Sequence, residues 1–340
     1  MSLHKLYPSI RDGRFTNYPG ELHRSFFLHS LLMVFQSWMT RRPHAMDNWK
    51  IPYTAQIPQF EQALITWIGH SSFLIQLQGL TVLTDPVFYD LSFLFKRVVP
   101  PGISGELLPP IDLVIISHNH RDHMDEKSLL LLKKLNPQLK VLVPQGNKKW
   151  FDRRGFADVQ ECMWWDEIII KKEEKSYQFV FLPAFHWSQR GLFDRNKTLW
   201  GSWLIRSFSP NLTLYFAGDT AYGNHFKAIS KEFSAIDIAL MPIGPCEPHQ
   251  WMQFAHVNAE QAGQGFLDLG AQHFVPMHWG TFYFGIDQVF QPLQRLQSWW
   301  QLQIDPAFHH LHCLKIGQTL PIKTRQAEEV IISESIIQTI

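Results

Sequence analysis

Cysteine is scarce: three in 340 residues, Cys162, Cys246 and Cys313, an odd number with no Cys-x-x-Cys spacing. That argues against a disulfide framework and a thiolate zinc knuckle, and it fits a reducing compartment. Net charge is equally scarce, with 31 Lys and Arg against 30 Asp and Glu, a formal +1. A chain so balanced carries no basic footprint for phosphate backbones, so nucleic acid is not an expected partner. Long apolar runs are missing too. No stretch reaches the ~18 residues that mark a membrane-spanning helix. Met1 to Ile10 has no charged segment leading into an apolar run and a small-residue cleavage site, so no signal peptide is expected. The nearest membrane element is Phe26 to Met39 (FFLHSLLMVFQSWM), broken by His29, Ser30, Gln36 and Ser37 and followed by Arg41-Arg42. It reads as a helix, either packed on the domain or lying in a membrane interface. The expected location is cytoplasmic, peripheral on a membrane in the second case.

What the chain does contain is apolar bulk and histidine. Hydrophobic residues make up 45% and charged residues 18%, enough to bury a sizeable core, and 17 histidines accompany a 14% aromatic content. Prolines 8, 19, 43, 52 and 58 keep residues 1–60 largely extended around the one helix. From residue 61 the texture changes. Runs at 63–68, 73–78, 80–85, 111–117 and 139–144 read as strands, with a helix at 126–135. The grammar then repeats, with strands at 177–183, 199–207, 212–219, 236–243 and 271–279 and helices at 223–233, 258–270 and 287–302. Two similar halves of this kind predict an α/β (α+β) fold with two sheets sandwiched between helical layers. The expected division is an N-terminal extension at 1–60, a catalytic domain at 61–322 and a tail at 323–340.

The densest chemistry is Ser117-His118-Asn119-His120-Arg121-Asp122-His123-Met124-Asp125, directly after the apolar run 111–117. His118 and His120 are two apart, which in extended backbone points both the same way. Asp122 and His123 follow on the turn. Four nitrogen and oxygen donors within six residues suit a borderline divalent ion such as zinc. Later strand ends offer more donors: His186, Asp219 and His278 each terminate an apolar run. Asp125 reads either as a residue orienting a ligand imidazole or as a helix N-cap. His70, in a Gly-His-Ser turn, reads either as a site-floor residue or as a buried structural histidine.

The run HNHRDHMD, with AFHW, AGDT and MHWG downstream, resembles the metallo-β-lactamase superfamily. Trp67 to Leu74 (WIGHSSFL), Leu83 to Phe88 (LTDPVF), Pro242-Ile243-Gly244, Glu247-Pro248 and His256-Val257-Asn258 resemble its N-acyl phosphatidylethanolamine phospholipase D branch. The likeness covers roughly residues 60 to 285. It implies a four-layer αββα sandwich and two zinc ions, other divalent metals being possible. His118, His120 and His186 would hold one; Asp122, His123 and His278 the other; Asp219 and a hydroxide would bridge them. It implies a catalytic set of Asp122, Asp219 and His256, the last contacting the substrate phosphate or protonating the leaving alkoxide. The implied reaction is hydrolysis of an N-acyl phosphatidylethanolamine-like phospholipid to phosphatidic acid and an N-acylethanolamine, at a membrane surface, with a homodimer as a further implied state. Trp187 and Trp251 are candidate interfacial aromatics.

The sequence departs from the branch at Cys246, where a Tyr would stand, and at His249 or Gln250, where an Arg would stand. A guanidinium suits a phosphodiester, so the substrate is the point in doubt. A metal-dependent lactonase or another soluble phosphodiester hydrolase is the alternative. A metal-bound, non-catalytic membrane scaffold is a third, disfavoured by the intact donor set.

Overall fold

Alternation explains the first sheet. In β3 (Gln62–Gly69), Ile65 and Trp67 face one apolar cluster while Leu64 and Ile68 point the other way, as a side-chain period of two requires. The same alternation runs through β4 (Ser72–Gln76), where Phe73 and Ile75 oppose Leu74. It continues in β5 (Thr81–Thr84), β6 (Leu113–Ile115), β7 (Lys140–Pro144) and β8 (Asp158–Cys162). One face of this sheet packs on the second sheet; the other is covered by α1 (Glu126–Leu135) through Leu129 and Leu132.

The computed structural model describes residues 5–17, 47–54, 56, 62–208, 211–323 and 337–339. The helix expected at Phe26 to Met39, with Arg41-Arg42, lies outside the described residues. A short hairpin, β1 (Ser9–Arg11) and β2 (Arg14–Thr16), comes before the sheets. The second sheet comprises β9 (Glu167–Lys172), β10 (Lys175–Leu182), β11 (Ser202–Phe208), β12 (Asn211–Phe216), β13 (Ile238–Pro242), β14 (His273–Met277) and β15 (His310–Leu311). Late strands close both sheets: β16 (Thr319–Lys323) pairs antiparallel with β3, and β17 (Ile337–Thr339) pairs parallel with β9. Short α2 (Lys148–Asp152) leads to β8; α3 (His225–Glu232), α4 (His249–Met252), α5 (Ala259–Leu269) and α6 (Gln291–Gln303) belong to the second half.

Each sheet begins with antiparallel pairs and ends with parallel ones, so the two halves repeat one topology. This is the mixed two-sheet sandwich expected from the sequence. Because β3, β5 and β6 share a direction, as do β10, β12, β13 and β14, their C-terminal ends collect on one edge of each sheet. Trp203 of the second sheet donates its indole N–H to the Ile116 carbonyl of the first at 2.9 Å, just below that edge. A fully buried indole with its one donor satisfied adds apolar contact without a polar penalty.

Two segments differ from expectation. Within the lead-in, the hairpin is stitched into the body: Trp165 donates to Leu6 O at 2.6 Å and His186 N–H to Asn17 Oδ1 at 3.0 Å. The tail, which carries no readable pattern, contributes β17 as an edge strand.

Candidate metal centre

Sequence order brings the candidate side chains to the collected strand ends. His70 follows β3, Asp85 follows β5, and His118 to His123 follow β6. His186 follows β10, Asp219 follows β12 and His278 follows β14. Three of these sit in the left-handed backbone region, His70 at φ 54°, Asp85 at 33° and His278 at 60°. Such conformations are costly for residues with a Cβ and persist where surrounding structure imposes them, commonly at functional sites. Before Asp219, Gly218 turns at φ 59°, and a Cβ there would lie 2.5 Å from Ser117 Cβ. The AGDT glycine is therefore needed for close approach of the loops that carry His118 and Asp219.

Two donor groups result. His118, His120, His186 and Asp219 form one; His70, Asp122, His123 and His278 form the other, with the donor atoms of each within 4.8 Å of one another. Asp219 serves both. Its Oδ2 lies 3.7 Å from His186 Nε2 and 3.3 Å from His123 Nε2, while Oδ1 lies 3.0 Å from His278 Nε2. Asp122 Oδ2 is 3.1 Å from His70 Nε2 and 3.4 Å from His123 Nε2. The seven residues named from sequence are thus brought together, and His70 joins them.

Hydrogen bonds fix the tautomers. His186 donates from Nδ1 to Ala255 O, His278 from Nδ1 to Gly244 O, both at 2.8 Å, and His123 from Nδ1 to Asp85 Oδ2 at 2.7 Å. A carbonyl or carboxylate only accepts, so Nδ1 carries the proton of each of these bonds and Nε2 of each ring points inward. Ser117 Oγ donates to Asp85 Oδ2 at 2.5 Å and is 2.9 Å from His118 Nδ1, from which it accepts. His120 is the exception: its Nδ1 faces His118 Nε2 at 2.8 Å.

These groups fit a divalent ion. Asp219 Oδ1 and His278 Nε2 are buried and face each other at 3.0 Å, a carboxylate oxygen and a ring nitrogen that one cation would share. Burial holds His186 down to about 3 and His120 down to about 4, and pushes His118 well below its ordinary value. Burial also drives His70 down to about 3, aided by His278 and opposed by Asp122. Burial alone would raise the two carboxylates, yet the adjacent His123 keeps Asp122 and Asp219 well below the usual range. His123 shows the converse: burial disfavours its charge, but Asp219 and Asp122 outweigh that and hold it well above its ordinary value. The buried carboxylates demand positive charge, which a metal would supply in place of that proton.

Asp85 escaped the sequence reading as a site residue, although LTDPVF contains it. Its signal was position, a carboxylate closing an apolar strand. Asp125, by contrast, caps α1, accepting from Ser128 N–H at 2.9 Å and Ser128 Oγ at 2.7 Å. Of its two readings, helix capping is the one the geometry shows. His256 places Nδ1 3.8 Å from Asp219 Oδ2, without a hydrogen bond there. Cys246 is buried, donating its thiol to Ile243 O at 3.2 Å, and does not line the cavity. That cavity, about 370 Å³, opens above both donor groups between Leu91, Phe95, Arg121, Trp187, Met252 and Phe284.

A buried cluster of histidines and carboxylates at the strand ends of a two-sheet sandwich defines a metal-dependent hydrolase. The chain belongs to the beta-lactamase superfamily, matching its domain model over residues 81–279. More particularly, it is similar to N-acyl-phosphatidylethanolamine-hydrolyzing phospholipase D 1 of Caenorhabditis elegans, with 36% identity over 245 residues, 68% of each chain. The mitochondrial N-acyl-phosphatidylethanolamine-hydrolyzing phospholipase D of Saccharomyces cerevisiae is 33% identical over 240 residues, 68% of this chain and 50% of that protein. The chain therefore spans about half the length of the yeast relative. Among solved structures, Igni18, a metallo hydrolase from Ignicoccus hospitalis, shares the fold with a TM-score of 0.58 at 21% identity, over 78% of this chain and 100% of that one.

Proposed function

We propose that the protein is a zinc-dependent phosphodiesterase of phospholipase D type that cleaves N-acyl phosphatidylethanolamine-like lipids to phosphatidic acid and an N-acylethanolamine. The observation that carries this reading is Asp219, whose Oδ2 faces His186 of one donor group and whose Oδ1 faces His278 of the other, at the floor of an apolar-walled cavity. His118, His120 and His186 would hold one ion and Asp122, His123 and His278 the other, with Asp219 between them and His70 supporting the second. Paired divalent ions supply Lewis acidity toward a phosphoryl oxygen and a water acidic enough to ionise near neutral pH.

The chain's own residues do the rest. Leu91, Phe95, Trp187, Met252 and Phe284 form a wall suited to acyl chains, and exposed Arg121 stands at the rim. Arg121 offers the guanidinium that the 245–251 loop lacks. His256 lines the same cavity, and burial pushes it down to about 3. A neutral imidazole suits hydrogen bonding to a phosphoryl oxygen better than proton delivery, so of its two expected roles the first is favoured.

Exposed apolar tips beside the mouth support work at a lipid surface. Phe93 and Leu94 lie in the loop that supplies Leu91 and Phe95, and Leu192 and Phe193 lie beyond Trp187. The missing cation at His249 and Gln250 favours a neutral ester, such as a lactone, as the second reading. The test is product mass spectrometry after incubation of zinc-loaded protein with N-acyl phosphatidylethanolamine in mixed micelles. Paired phosphatidic acid and N-acylethanolamine, abolished by a chelator, support the first reading. Turnover of a lactone with no lipid cleavage replaces it with the second.

A further inference from the structure

The strand that delivers His278 to the candidate centre carries another histidine at its opposite end. His273 begins β14, and parallel pairing sets it beside His310 of the edge strand β15. His312 lies two residues beyond His310, and its N–H donates to Phe274 O at 2.8 Å, extending the ladder. The period of two then places all three imidazoles on one face, with Phe274 and Leu311 on the other. Phe274 packs against Phe266 and Trp300, so the histidines face away from α5 and α6.

The rings are in contact. His273 Nδ1 and His312 Nε2 are 2.9 Å apart, and His310 stacks on His273 with centroids 4.9 Å apart. His310 and His312 centroids are separated by 6.5 Å. His273 and His312 are half-buried and held by strand pairing, whereas His310 is exposed, and its stacked ring would have to turn for all three to reach one ion. Three imidazoles on a rigid sheet edge, one of them adjustable, match the ligand preference of late first-row divalent ions. Five residues of strand separate this cluster from His278, a distance of roughly 17 Å at ~3.3 Å per residue. It is therefore distinct from the candidate centre.

We propose that His273, His310 and His312 form a sheet-edge site for one imidazole-preferring divalent cation, of the zinc, nickel or copper class. Occupation would tie the two-residue edge strand β15 to β14 through side chains as well as backbone.

The test uses full-length, zinc-loaded protein titrated with Cu2+ and read by electron paramagnetic resonance, which reports nitrogen ligands directly. One added equivalent with a multi-imidazole signal is expected, lost in His310→Asn and again in His312→Asn, with turnover unchanged in both. An Asp219→Asn variant should retain the signal, because the edge site does not need the interior centre. Absence of the added equivalent, its survival in both histidine variants, or its loss in Asp219→Asn would each overturn the proposal.

Discussion

Asp85 and Ser117 show how much of a metal centre lies behind its ligands. The Asp85 carboxylate accepts from Ser117 N–H at 2.8 Å, from Ser117 Oγ at 2.5 Å and from His123 Nδ1 at 2.7 Å. It therefore fixes which nitrogen His123 turns inward and, through Ser117, which one His118 turns inward. Replacement by Asn keeps the size but puts an amide where one acceptor oxygen stood. Asp85→Asn should weaken metal binding by about 10- to 100-fold while leaving the fold intact, the usual range for such supporting partners. Competition with a chromophoric zinc chelator measures it, and unchanged affinity would remove Asp85 from the centre. Asp219→Asn should lose metal and activity together, since both donor groups use its oxygens. His256→Ala should lose activity with metal content unchanged; metal loss there would contradict its assignment to the substrate side. At this scale the histidine-rich run was legible because its donors are contiguous. His70 was ambiguous and Asp85 was missed because contacts made across 52 and 38 residues leave no local pattern.

At the scale of elements, capping chemistry sets the ends of two helices. Asp125 begins α1, and Asn258 begins α5 with a complete capping box through Gln261, which ends at Gly270 in the left-handed region. Pro292 did not break α6 because it lies in the first turn, where its missing N–H has no partner to lose. The strands β8 and β9 were not assigned from sequence. DVQEC has only Val159 and Cys162 buried and lies at a sheet edge, so its apolar signal is weak. Asn258 lies two residues after His256, which links stability to the site. Asn258→Ala should cost about 1 kcal/mol of stability, measured by denaturant unfolding of the metal-loaded protein. A change below the error of that measurement would mean that α5 is held by packing alone. Gly218→Ala should do more harm, since a Cβ there meets Ser117 in a backbone region that suits glycine. Wild-type activity in that variant would show that the AGDT turn tolerates a shift.

The whole molecule sets its charge and its exposed apolar residues in different ways. Net charge is near zero, so attraction to an anionic surface has to come from local arrangement. The loop tips supply one. Phe93 is 85% exposed, Leu192 86% and Phe193 81%, on two loops whose other residues reach the cavity mouth. Arg195 lies over the Trp187 ring at 4.6 Å and Lys96 over Phe93 at 5.7 Å, so cationic heads accompany both tips. Apolar tips flanked by cations suit the headgroup boundary, where rings enter and charges meet phosphates. None of these residues packs into the core, so Phe93→Ser with Phe193→Ser should leave stability nearly unchanged. Among the described residues no helix is long and apolar enough to cross a membrane. The double variant should bind weakly to phosphatidylcholine vesicles containing phosphatidylserine, as read by flotation. Its KM should rise for substrate in those vesicles, while a short-chain soluble phosphodiester is turned over at the native rate. Equal loss on both substrates would place the two loops in the chemistry rather than at the surface. Unchanged flotation would assign any lipid attachment to another part of the chain.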